Sequence, residues 1–120
     1  MQLIVAKEAK PEMLKQLLSK AMTLRLYIND VVEGPFVEAA FPGYLPIRLE
    51  PKQWVIADSR AHYEPETLQI FTADGDSEET VYGYFVTQGK KLKWSERFAE
   101  PFAMKSFGDE VRIQPVFGLE

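Results

Sequence analysis

The sequence predicts a mainly-β fold: an antiparallel β-sandwich or partly open barrel with one N-terminal amphipathic helix. Three observations point there. Short runs of alternating apolar residues recur along the chain with turn signals between them, the spacing expected of a sandwich or barrel. Only one stretch has helical periodicity. The densest run, Val81-Tyr82-Gly83-Tyr84-Phe85-Val86, is built of β-branched and aromatic residues around one glycine. At 120 residues the chain fits a single domain, 1–120, and a chain of that size buries roughly two-thirds of its unfolded surface.

Gln2 to Ala6 reads as a short strand or an arm. Pro11 suits the first turn of a helix, where its missing N–H has no partner to lose. Leu14, Leu17, Leu18 and Ala21 then share one face, with Lys15, Gln16, Ser19 and Lys20 on the other, giving about three amphipathic turns. From Thr23 the period becomes two: Leu24, Leu26 and Ile28 alternate with Thr23, Arg25, Tyr27 and Asn29. Val31 to Gly43 is a loop punctuated by Gly34-Pro35 and Pro42-Gly43. Its Phe36, Val37 and Phe41 imply packing onto the domain or onto a partner.

Further strands are expected at Leu45–Leu49, with Pro46 marking an edge or irregular start, at Trp54–Ala57, at Ala61–Tyr63 and at Thr67–Thr72. Thr80–Thr87 is the strongest strand. It turns at Gln88–Lys91 and returns as Leu92–Phe98, a hairpin read as central to the core. Gly83 in mid-strand implies close approach by a large side chain or by backbone. Alternation puts Trp94, Glu96 and Phe98 on one face, so Glu96 must pair or sit near an edge. Glu110 to Phe117 reads as the last strand.

The composition excludes several kinds of chemistry. There is no cysteine, hence no disulfide, thiolate metal site or thiol catalysis. The formal charge of −4 argues against general nucleic-acid affinity. Lys90, Lys91 and Lys93 form the only local basic cluster and read as a solvated turn. No apolar run is long enough to span a bilayer, so no membrane partner is expected, and synthesis in the cytoplasm follows. The single histidine, His62, lies between strand residues and reads as a surface or edge imidazole. No Gly-x-Ser-x-Gly elbow marks a nucleophile, and Gly83 and Gly89 are too isolated for a phosphate loop.

The run Asp74-Gly75-Asp76-Ser77-Glu78-Glu79 offers carboxylates to calcium. It lacks the ligand spacing of an EF-hand and reads first as a solvated acidic loop. Glu96 with Glu100, or Asp109 with Glu110, could be proposed as a glycosidase pair, but eighteen acidic residues always offer pairs. No catalytic residue, metal ligand or cofactor site is expected, and the chain reads as a binding or structural module rather than an enzyme.

The chain resembles small structural proteins of tailed-phage particles, particularly those of phages infecting cyanobacteria and other aquatic bacteria. The resemblance runs through Thr23-Leu24-Arg25-Leu26-Tyr27-Ile28-Asn29-Asp30, Phe41-Pro42-Gly43-Tyr44 and Val81-Tyr82-Gly83-Tyr84-Phe85-Val86. It continues through Trp94-Ser95-Glu96-Arg97-Phe98, Pro101-Phe102-Ala103-Met104 and Gly108-Asp109-Glu110-Val111-Arg112-Ile113-Gln114-Pro115. Val31 to Ala40 is shorter than the family pattern implies. The resemblance implies a capsid decoration or cement protein on the virion surface, a homo-oligomer (dimer or trimer) whose partner is the major capsid protein. A tail, neck or fibre component with a receptor- or sugar-binding β-module is the alternative. The contact surface is expected at the N-terminal segment, Leu3, Ile4 and Val5, along the loop with Phe36, Val37, Phe41 and Tyr44, and on exposed aromatic residues, the Val81–Val86 and Trp94–Phe98 segments being read as a core hairpin or else an aromatic surface for a partner or sugar.

Overall fold

The computed structural model describes residues 6–64 and 69–118. Leu3, Ile4 and Val5 lie outside the described residues, as do Gln2 of the expected arm and Thr67 and Leu68 of the expected Thr67–Thr72 strand. A turn of 3-10 helix, Lys7–Ala9, leads into α1, Lys10–Leu17. Among the described residues the strands are β1 (Met22–Tyr27), β2 (Ile47–Leu49), β3 (Trp54–Ala57), β4 (Arg60–Tyr63), β5 (Gln69–Thr72), β6 (Glu79–Gln88), β7 (Lys91–Met104), β8 (Glu110–Ile113) and β9 (Val116–Gly118).

The strands form antiparallel sheets ordered β2-β1-β6-β7, β3-β4-β9 and β5-β8. The architecture is sandwich-like, and the sheets do not close into a barrel. Period two explains the layering. Met22, Leu24 and Leu26 of β1 turn to one side, with Tyr84 and Val86 of β6 beside them. The two smaller sheets supply the opposing side chains Trp54, Ala61, Tyr63, Phe71, Val111 and Ile113. Burying a side chain such as Leu24 stabilises the fold by about 1.5–3 kcal/mol.

The helix is shorter than its sequence pattern predicts. Both the N–H and the hydroxyl of Ser19 donate to the Gln16 carbonyl, closing the last turn before Ala21 is reached. Leu14 and Leu18 are buried, and α1 packs against β3 and β4. Met13 stays on the surface.

Gly83 explains how the large sheet accepts its aromatic residues. It pairs with Tyr27 across β1–β6 and with Arg97 across β6–β7. A Cβ there would lie 2.5 Å from the Tyr27 hydroxyl and 2.3 Å from the Glu96 carbonyl oxygen. The expectation of a close approach at this glycine is met by the buried Tyr27 ring lying across it.

Two expectations need correction. The Thr80–Phe98 hairpin is not central as a whole: β6 is flanked on both sides, but β7 is the sheet edge and runs on through Pro101 to Met104. Proline is tolerated there because an edge strand has one unpaired side. The register slips by one residue at Lys93 and by several between Arg97 and Phe102, which bends this edge. The expected final strand is two strands in different sheets, β8 and β9. At the break the Pro115 carbonyl accepts from the Tyr63 N–H, and the Gln114 side chain donates to the Tyr63 carbonyl.

Candidate interaction surface

The loop between β1 and β2 folds back on its own strand. Ile28 N–H donates to the Val37 carbonyl and Ala39 N–H to the Leu26 carbonyl, so residues 37–39 extend the sheet beside β1. Asn29 clamps the tip: its amide donates to the Pro35 carbonyl at 2.9 Å and its oxygen accepts from Val37 N–H at 2.8 Å. Asn suits this position because its side chain both donates and accepts.

This clamp directs Phe36 over the outer face of the large sheet. Its ring lies 4.4 Å from Tyr27 and 5.1 Å from Phe85, centroid to centroid. Beside it Arg25 reaches both carboxylate oxygens of Glu38, at 3.0 and 3.2 Å, and donates to Thr87 Oγ1. The Tyr44 hydroxyl donates to Glu38 at 2.6 Å and accepts from Leu26 N–H. Burial, with that bond to Glu38, pushes the Tyr44 phenol well above its ordinary range. Tyr84, whose hydroxyl donates to Glu96, is raised by burial and by that carboxylate. Both phenols are therefore fixed hydrogen-bond donors near neutral pH.

The expected contact residues thus have different fates. Phe41 is 3% exposed and belongs to the core, so its ring is not a surface contact. It heads a turn in which Tyr44 N–H donates to the Phe41 carbonyl, with Gly43 at φ +87°. A proline followed by a positive-φ glycine is the signature of a type II turn. Phe36 is half-buried on Tyr27 and Phe85, and Tyr44 is held by Glu38, Phe41 and Phe71. Val37, 52% exposed, is the one of these four that faces outward freely.

A second surface lies along β7. Trp94 and Phe98 pack toward the core, and Glu96 between them is exposed on the edge strand and accepts from the Tyr84 hydroxyl, in keeping with the expectation that it pair or sit near an edge. Beyond the irregular stretch Phe102 is 43% exposed with its ring edge-on to Phe98 at 5.3 Å, and Phe107 in the following turn is 77% exposed. Pro101, which marks an edge strand, was the signal that could have revealed Phe102. Arg97 latches the two surfaces together: it pairs with Asp30, donates to the Val31 carbonyl and lies over the Tyr82 ring.

The acidic loop is partly committed to structure. Glu79 accepts from Ala40 N–H, and Asp74 N–H donates to the Pro42 carbonyl. Among the described residues no three His, Cys, Asp or Glu side chains converge on a metal position. His62 lies 3.1 Å from Glu64 on the surface of β4. No helix among the described residues is long and apolar enough to cross a membrane. No protein-family model, no curated protein and no solved structure matches this chain.

Proposed function

We propose that this protein is a structural component of a tailed-phage particle, one that decorates and cements the outer capsid shell through contact rather than chemistry. The order of its sequence segments supports this reading. The observation that carries it is a β scaffold with apolar side chains exposed on it: Val37 on a clamped loop, Phe102 on the edge strand and Phe107 in the turn that follows. Such side chains lose little freedom when a partner covers them, because the elements beneath are already ordered. Each contact is modest, but symmetry repeats it over the shell, so many weak contacts add up to a stable coat. The major capsid protein is the partner in this reading, and the protein assembles on it as a dimer or trimer.

Copy number is the test. Quantitative mass spectrometry of purified virions should find this chain at a ratio of order one to the major capsid protein. A handful of copies per particle would place it in the tail, neck or fibre instead. Absence from the particle would end the structural reading.

A further inference from the structure

The face of α1 turned away from β3 borders the β6–β7 hairpin across an open groove. One hollow of about 390 Å³ is lined by Met13, Gln16, Leu17 and Lys93. A second, of about 280 Å³, shares Gln16, Leu17 and Lys93 and adds Lys20 and Gln88. The first hollow is mostly apolar, with Met13 45% exposed and Leu17 only partly covered, and the second is mostly polar. The charged groups along the groove have one sign. Among the described residues lining it there are lysines and no carboxylate, although the whole chain carries −4. The hairpin turn that starts at Gln88 adds the exposed Lys90 and Lys91. The lysines that form a plain turn cluster in the sequence thus meet a fourth, Lys20, and an apolar strip contributed by the helix.

We propose that this groove is a docking site for an acidic amphipathic segment of a partner protein. The apolar side of such a segment covers Met13 and Leu17, and its carboxylates face Lys20 and Lys93. Charge complementarity selects the occupant. A nucleic acid would meet the lysines while leaving Met13 and Leu17 uncovered. Long lysine side chains suit the site because their stems lie on apolar surface while the ammonium stays in water. The assignment is independent of whether the protein sits on a capsid, since it concerns the chemistry of one surface.

The probe is a short synthetic peptide with Leu at helical spacing and Glu between, compared with the same peptide carrying Gln for Glu. Titrated into the labelled full chain, the Glu peptide should shift the Met13 methyl and the Gln16, Leu17, Lys20 and Lys93 amide resonances and leave those of β5 and β8 unmoved. The Gln peptide, or the double variant K20E/K93E, should bind about tenfold or more weakly. A Met13→Ser variant, altered only on the surface, should weaken the Glu peptide while keeping the salt dependence. Equal binding of the two peptides, or shifts outside the groove, would overturn the proposal. So would a poly-dT oligonucleotide that moves the same resonances at lower concentration than the Glu peptide.

Discussion

Replacing Gly83 with alanine tests how the large sheet is assembled. The new methyl would lie 2.3 Å from the Glu96 carbonyl oxygen, 2.5 Å from Tyr27 Oη and 2.6 Å from Tyr27 Cε1. Neither neighbour yields easily. The carbonyl belongs to the adjacent strand, and Tyr27 is fully buried, packed against the Phe36 ring and hydrogen-bonded to the Val31 carbonyl. Overpacking of a tight site costs about 1–3 kcal/mol, and a clash with backbone belongs at the upper end, about 3 kcal/mol. Alanine also restricts the unfolded chain, which offsets the cost by about 0.4–1 kcal/mol. The net loss is then about 2 kcal/mol. With a urea slope of about 1–2 kcal/mol per molar, the unfolding midpoint should fall by about 1 M or more. Equilibrium urea unfolding followed by tryptophan fluorescence measures it. An unchanged or raised midpoint would mean that Tyr27 does not lie across Gly83, and the packing argument would fail.

Phe41→Ala should cost about 3–5 kcal/mol in the same assay, because the ring is core, whereas Val37→Ser should stay within about 0.5 kcal/mol. Equal effects would contradict the assignment of one to the core and the other to the surface. Tyr44→Phe should cost about 1–3 kcal/mol near neutral pH, since Leu26 N–H loses its acceptor and Glu38 a donor. The same variant should alter the alkaline limb of stability. The folded Tyr44 phenol holds its proton to higher pH than the unfolded one, so its contribution is complete below about pH 10 and declines above that. Wild type should therefore lose stability above pH 10 more steeply than Tyr44→Phe. Parallel curves would show that Tyr44 is not raised.

Local periodicity was sufficient to read β1, β3, β6 and the helix, because alternation in a strand and a 3.6 repeat in a helix are properties of consecutive residues. It also exposed the glycine that Tyr27 crosses and the bind in which Glu96 is placed. The sequence pattern named the loop residues Phe36, Phe41 and Tyr44 but not their fates. Each is apolar or amphipathic in a turn-rich segment, and whether it ends in the core, on an outer sheet face or in a hydrogen-bond network depends on strands far along the chain. Phe36 needs Phe85 as its neighbour, Tyr44 needs Phe71, and Arg25 needs Thr87.

Sheet order was equally hidden. β7 carries as many aromatic residues as a central strand, yet it is an edge, because among the described residues nothing pairs beyond it and Pro101 and the irregular register resist pairing. The groove beside α1 shows the same division. Lys90, Lys91 and Lys93 are neighbours in sequence, but Met13, Leu17 and Lys20 reach them only after a hairpin some seventy residues away packs beside the helix. The sequence by itself determined which residues alternate, where the chain turns and which chemistries lack their atoms. The tertiary structure alone decided which apolar residues remain outside, because exposure depends on the strands and loops that long-range pairing brings to each face.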